Sequence, residues 1–393
     1  MNFPKGFCAG GTHCGIKKNG KNDLAMFYSD KECAAAGVFT KNIFCAAPVV
    51  VSRRNVKNGI RAVLANSGCA NACTGSRGIE DANGMCRIAA ANLGVKPGEV
   101  LVASTGVIGQ FLPMEKIESG VKILASRMKN FENDALAAVN GIMTTDTFPK
   151  YVGSKFYLAG KTVNVWGCAK GSGMIEPNMA TMLGFILTDA AVEKSALQDA
   201  LKMAAEYTFN CLTVDGDTST NDTLFVLANG AAGNRKVSRG GDFKKFSAEL
   251  AKVCLELTQL LASDGEGATK LVTVNVTGAR TISDAKKIAK TVANSPLVKT
   301  AVFGNDANWG RILAAVGRSG ADVVPEKMDI AFGKLYVFKK GAPVKFSEHA
   351  AKKLLQKKEV EINIELNIGG EGIRVYTCDL TDGYIKINAS YRS

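Results

Sequence analysis

An α/β fold is the class the sequence predicts, and three observations predict it. Short β-type runs alternate with amphipathic stretches along the whole chain, and Gly and Asn/Asp clusters separate them. Near the C-terminus, polar and apolar residues alternate over ten positions. A chain of 393 residues is also too long for one small core, so two domains or one large α/β unit is expected.

The elements follow in order. The apolar runs Leu24–Tyr28, Pro48–Val51, Ala62–Leu64 and Val100–Ala103 read as buried or half-buried strands. Helical patterns cover Ile79–Leu93, Glu115–Met128, Val192–Tyr207, Phe243–Leu261 and Ser283–Ala293. In the third of these, Leu197, Leu201 and Ala204 form an apolar stripe. Asn19-Gly20, Gly240-Gly241 and Gly369-Gly370 are turn signals. The alternating stretch Glu359–Ile368 reads as a half-buried strand, with Gly372–Leu380 and Tyr384–Ile387 continuing its sheet. A domain boundary is placed near Thr277–Ser283.

Composition narrows the class. Hydrophobic residues at 46% and charged residues at 22% are ordinary for a globular protein. No run approaches the length of a membrane span, and the N-terminal residues lack a signal-peptide pattern, so a cytoplasmic location is expected. The eleven cysteines are odd in number and scattered, there is no CxxC, and His13 and His349 are the only histidines. No metal site is therefore expected, and the cysteines read as reduced, mostly buried small apolar residues. The net charge of +13 is spread thinly, and runs such as Lys17-Lys18 and Lys352-Lys353 lack interleaved aromatics. That pattern favours a field for small anionic substrates, or a merely solvated surface, over a nucleic-acid footprint.

One segment carries chemistry. Residues 170–190 read Lys-Gly-Ser-Gly-Met-Ile-Glu-Pro-Asn-Met-Ala-Thr-Met-Leu-Gly-Phe-Ile-Leu-Thr-Asp-Ala. Glycines flank Ser172, Pro177 constrains the loop, and Thr181 opens an apolar run of strand character. A threonine hydroxyl inside a chain lacks a base. Cleaving the bond before it creates an α-amine with a pKa of about 7.7–8.0, which supplies nucleophile and base on one residue. From the residues alone, an ordinary threonine at a strand start remains open.

The junction from Lys170 to Leu183 resembles the cleavage signature of the ornithine acetyltransferases of arginine biosynthesis. Further segments resemble that family in the same order: Pro4-Lys-Gly-Phe, Asn66-Ser-Gly-Cys-Ala-Asn-Ala-Cys-Thr-Gly75, Ser104-Thr-Gly-Val-Ile-Gly109, Met143-Thr-Thr-Asp-Thr147, Asp215-Gly-Asp-Thr218, Ser263-Asp-Gly-Glu-Gly-Ala-Thr269, Gly304-Asn-Asp-Ala-Asn-Trp-Gly-Arg311 and Asn388-Ala-Ser-Tyr. The likeness spans essentially the whole chain.

The resemblance implies a layered α/β sandwich with stacked β-sheets between helices. It implies autocleavage between Ala180 and Thr181 into an α chain (1–180) and a β chain (181–393), assembled as two α and two β chains. Thr181 would be the nucleophile, passing acetyl from N-acetylornithine to glutamate by ping-pong chemistry. Thr105 and Gly106 would form the oxyanion hole. Thr144, Lys170, Thr181, Glu266, Asn388 and Ser393 would bind substrate, with Thr145 as the alternative to Thr144. Lys170 suits a substrate carboxylate and Glu266 the ammonium of ornithine. The family often ends in threonine where this chain has Ser393, which keeps the hydroxyl. No bound cofactor is implied, while acetyl-CoA stays open as a second acetyl donor. The alternative reading is a self-processing aminopeptidase or amidase that hands the acyl group to water.

Overall fold

The structure, a computed structural model, describes residues 3–176 and 182–390. The first half of the chain contains β1 (Phe7–Thr12), β2 (Leu24–Phe39), α1 (Ala47–Asn55), β3 (Ile60–Cys69), α2 (Gly75–Leu93), β4 (Val100–Val107), α3 (Met114–Lys129), α4 (Ala135–Ile142), β5 (Lys150–Leu158) and β6 (Lys161–Lys170). Then come β7 (Leu183–Thr188), α5 (Lys194–Tyr207), β8 (Thr223–Ala228) and α6 (Gly240–Ser263). The remainder holds β9 (Leu271–Ala279), α7 (Ile282–Ala293), α8 (Pro296–Phe303), α9 (Trp309–Gly317), β10 (Asp329–Phe332), β11 (Leu335–Lys339), β12 (Ala342–Pro343), α10 (Glu348–Leu355), β13 (Glu359–Glu365), β14 (Glu371–Cys378) and α11 (Asp382–Ser390).

The long strand β2 organises the larger sheet, whose order is β4-β3-β2-β8-β7-β6-β5 with β1 also on β2. Its register breaks between Tyr28 and Cys33; before the break it pairs with β1 and β3, after it with β8. The two halves of the sheet thus stack over one core that joins Phe27, Val63 and Leu101 to Trp166, Phe185 and Phe225. The Phe27 and Phe185 rings lie 5.1 Å apart between centroids. Helices α2 and α3 cover the outer face of one half, and α5 and α6 that of the other. This is the layered α/β sandwich expected.

The doubly buried strands explain why the apolar runs looked continuous. In β3, Ala62 and Leu64 face the helices while Val63 and Ala65 face the inner core. Alternate side chains point to opposite faces, so a strand buried on both sides carries no polar alternation.

The second sheet, β12-β11-β10-β13-β9-β14, has its own core with α7, α8, α9 and α10. Here β13 shows the alternation read from its sequence: Val360, Ile362 and Ile364 are buried, while Glu359, Glu361 and Glu365 face solvent. Burying each such aliphatic side chain contributes about 1.5–3 kcal/mol.

Three expectations are corrected. Pro48–Val51 lies in α1, not a strand, because Pro48 occupies the first turn with its φ preset for a helix and Val49 and Val51 pack into separate cores. Tyr384–Ile387 lies in α11; a four-residue alternating run does not distinguish the two periods, and Lys386 pairs with Asp382 one turn away at 2.6 Å. Thr277–Ser283 is no boundary, since it joins β9 to α7 within one sheet-and-helix unit. All eleven cysteines are free and eight are buried, as read. Among the described residues no helix is long and apolar enough to cross a membrane.

Candidate active site

The site begins where the parallel strands β3 and β4 end. Ser67 lies opposite Thr105 and Gly68 opposite Gly106 before the register shifts at Cys69. Gly106 has φ +131°, and a Cβ there would meet the Gly68 carbonyl carbon at 2.4 Å. Only glycine accommodates both the angle and the approach. The Ser104 hydroxyl donates to Asn66 Oδ1 at 2.6 Å, and Asn66 Nδ2 donates to the Cys69 carbonyl at 2.9 Å. From the loop before β8, Asn221 Nδ2 donates to the carbonyls of Ala70 (2.6 Å) and Ser104 (2.8 Å). These bonds hold Thr105 and Gly106 at the mouth of a cavity.

The second wall is the loop between α4 and β5. Asp146 accepts from the Thr144 amide at 2.9 Å, the Gly171 amide at 2.8 Å and Lys150 Nζ at 2.7 Å. Lys150 is fully buried and also donates to Asp264, which in turn accepts from the Thr147 amide and hydroxyl. One lysine therefore ties together the loop of Thr144, the end of β6 and the loop after α6. Burial pushes the Asp146 carboxyl up, but the Lys150 and Lys170 ammoniums outweigh it and hold the group at about 2.

Lys170 ends β6, is buried, and donates to the Thr144 hydroxyl at 3.3 Å. Burial lowers its pKa; Asp146, Asp222 and Glu266 oppose that shift and Lys150 reinforces it. Glu266, in the loop after α6, donates its amide to the Ser172 carbonyl at 2.9 Å and accepts from Asn388 Nδ2 at 2.7 Å. A Cβ on Gly173 would lie 2.4 Å from the Glu266 carboxylate, so glycine there lets the acid approach. Met174 holds a left-handed φ of +54°. Asp215 stabilises it by accepting from the amides of Met174 at 2.6 Å and Ile175 at 2.8 Å.

Thr105, Gly106, Thr144, Lys170, Glu266 and Asn388 converge on one cavity of about 210 Å³. Thr145 reaches the same cavity, but only the Thr144 hydroxyl contacts Lys170. Ala180, Thr181 and Ser393 lie outside the described residues. Met182, the next residue after 181, lines a small adjoining pocket with Thr105 and Lys170. A cation at one side, a carboxylate at the other and a strand-end Thr-Gly pair suit a small zwitterionic molecule with a polar carbonyl between.

Sequence reasoning assigned no role to Asp146, Lys150, Asp215, Asn221, Asp222 or Asp264. Several stand in the quoted motifs, and polar residues beside glycines were a visible signal. Their burial was not.

The ArgJ family model matches residues 8–393. The arginine biosynthesis bifunctional protein ArgJ of Symbiobacterium thermophilum is 51% identical over 394 residues, covering 99% of this chain and 98% of that protein. Its counterpart of the same description from Caldanaerobacter subterraneus subsp. tengcongensis is 48% identical over 399 residues, covering 100% and 98%. A crystal structure of the arginine biosynthesis bifunctional protein ArgJ from Bacillus halodurans is 45% identical, with a TM-score of 0.53, and matches 54% of this chain and 100% of that one.

Proposed function

The chain belongs to the ArgJ family, and on that premise we propose that it transfers an acetyl group from N-acetylornithine to glutamate through an acetyl ester on Thr181. It is an enzyme of arginine biosynthesis, a glutamate N-acetyltransferase. The observation that carries the finer reading is the convergence of Thr105, Gly106, Thr144, Lys170, Glu266 and Asn388 on one cavity, with Met182 beside it.

In this mechanism the bond between Ala180 and Thr181 is hydrolysed first, giving Thr181 an α-amine. The amine takes the hydroxyl proton as Thr181 Oγ attacks the acetyl carbonyl. The Thr105 hydroxyl and the Gly106 amide receive the developing oxyanion. Lys170, steadied by Thr144, binds the amino-acid carboxylate, and Glu266 with Asn388 meets the ornithine ammonium. Ornithine leaves with a proton from the ammonium of Thr181. The neutral amine of glutamate then attacks the ester carbonyl, the bond between acetyl carbon and Thr181 Oγ breaks, and the proton lost by that amine passes through the Thr181 amine to Oγ as N-acetylglutamate departs.

Two chains are supported by the share of this chain, 54%, that spans the whole Bacillus halodurans chain. Residues 181–393 would make up 213 of 393, the same share. We further assign the substrate contact of Ser393, an assembly of two α and two β chains, a cytoplasmic location and no bound cofactor. The description of relatives as bifunctional is the ground for proposing acetyl-CoA as a second donor.

Denaturing intact-mass spectrometry with and without N-acetylornithine tests the reading. Two chains split before Thr181, with one acetyl group added to the second alone, is the expected result. A single full-length mass that the donor leaves unchanged in folded protein would overturn it.

A further inference from the structure

The loop between β1 and β2 has no part in the chemistry above, yet it meets the wall that carries Thr144. Buried Asp23 shapes this loop by accepting from the amides of Cys14 (2.7 Å), Gly15 (3.1 Å) and Lys17 (2.9 Å). With the backbone gathered on one carboxylate, the partly buried Lys17 side chain reaches the segment before Thr144. Its Nζ donates to the carbonyls of Asn22 at 2.9 Å and Met143 at 2.6 Å. Those bonds use two of its three protons. Asn19, Gly20 and Lys21 are exposed at the tip, and Gly20 turns the chain at φ +74° with open space where a Cβ would stand.

Beside the loop lies a cavity of about 380 Å³, lined among others by Lys17, Asn19, Lys21, Asn22, Asn140 and Thr144. That volume is in the range of small-molecule sites. Thr144 also lines the catalytic cavity of about 210 Å³, so the two spaces share a wall. The one carboxylate on the lining, Asp146, is buried and already accepts from Lys150 and from the Thr144 and Gly171 amides. Neither Lys17 nor Lys21 forms a salt bridge among the described residues. A ligand in this space would therefore meet two ammoniums and no free carboxylate. Burial pulls the Lys17 pKa down to about 8; Asp23 and Asp146 oppose this, while Lys170 and Lys21 reinforce it. Lys170 belongs to the catalytic cavity, so the cationic field extends across the shared wall. A bound anion would relieve the crowding of like charge.

We propose that this cavity takes the phosphate-bearing end of a thioester acetyl donor of the coenzyme A class, with Lys17 and Lys21 meeting its phosphates and its acetyl end entering the catalytic cavity. The inference deepens the reading of acetyl-CoA as a second donor and rests on it. The catalytic cavity is sized for an amino acid and an acetyl group, so a nucleotide-bearing carrier must extend beyond it, and the neighbouring space has the matching charge. In the transfer itself the bond between acetyl carbon and sulfur breaks as the Thr181 ester forms. The hydroxyl proton leaves on the thiol.

Lys21 is the residue to vary, because its side chain is exposed and holds no neighbouring loop. Lys21→Gln and Lys21→Glu are to be compared with the wild-type protein by thermal melting, calorimetric titration with coenzyme A, and initial rates with three acetyl donors. The donors are acetyl-CoA, S-acetylpantetheine, which has the thioester but no phosphate, and N-acetylornithine. KM for acetyl-CoA is expected to rise about threefold in K21Q and about tenfold in K21E, with coenzyme A binding weakened in step. KM for S-acetylpantetheine and for N-acetylornithine should stay unchanged. An unmoved KM for acetyl-CoA in K21E overturns the proposal, and so does an equal rise for S-acetylpantetheine. Wild-type protein that binds inorganic phosphate as tightly as coenzyme A would assign the lysines to a free anion and overturn it too. If the wild type uses N-acetylornithine but neither binds coenzyme A nor uses acetyl-CoA, the proposal fails while the transferase reading stands. Wild-type protein that is acetylated by no donor refutes the transferase reading instead.

Discussion

A methyl group on Gly106 would lie 2.4 Å from the Gly68 carbonyl carbon, at a backbone angle that L side chains rarely adopt. The segment proposed to form the oxyanion hole is therefore held by backbone contacts, and the Thr105 side chain is the part that substitution removes cleanly. Thr105→Ala is expected to keep the fold and lower kcat by about 10²–10³-fold, the cost of one oxyanion donor. Melting temperature and kcat measured together check this; a wild-type kcat would take Thr105 out of the oxyanion hole. Glu266→Gln keeps the shape and the bond to Asn388 while removing the charge. A charge-assisted hydrogen bond contributes about 1.5–3 kcal/mol, so KM for N-acetylornithine should rise about 10–100-fold. Initial rates over a range of substrate concentrations read this directly, and an unchanged KM would place the ornithine ammonium elsewhere.

At the scale of elements, the loops of the site are positioned by one buried network. Lys150 lies between Asp146 and Asp264, with all three side chains withdrawn from solvent. Lys150→Met would leave two buried carboxylates without their cation, and breaking such a pair typically costs about 3–5 kcal/mol. Urea unfolding at neutral pH is the measurement; a variant as stable as the wild type would mean the network contributes little. The same network sets an acid limit. Asp146 titrates at about 2 in the folded chain against an ordinary 3.8. A depressed carboxyl stabilises the fold fully above its unfolded value and loses that contribution as pH falls through the folded one. Unfolding midpoints should thus drop between about pH 4 and pH 2, and Asp146→Asn should flatten that part of the profile.

For the whole molecule, the proposed cleavage would not separate two domains. Strand β7 pairs with β6, and β8 pairs with β2, so residues on either side of position 181 share one sheet. The inner core likewise joins Phe27 and Trp166 to Phe185 and Phe225. Cleaved protein should therefore elute as one assembly containing both chains, and separate only when denatured. Size-exclusion chromatography followed by denaturing electrophoresis of each fraction tests this. Chains that part under native conditions would contradict the shared core.

Much of this architecture was legible along the chain. The alternation in Glu359–Ile368 marked β13, the apolar run after Thr181 marked β7, and the stripe of Leu197, Leu201 and Ala204 marked α5. The resemblance of the motifs to a known family points to Thr105, Gly106, Thr144, Lys170, Glu266 and Asn388, which line one cavity. Such features are local, because periodicity and motif spacing are written into consecutive residues. The tertiary structure decided the rest. It made helices of Pro48–Val51 and Tyr384–Ile387, bent β2 so that one sheet stacks on itself, and buried Lys150 and Asp222 beside the site. Asp264 meets Thr147 from 117 positions away, and Asn221 meets Ser104 from the same distance along the chain. Whether a polar side chain ends in water or in a core depends on which remote segments cover it, and neighbouring residues carry no record of that.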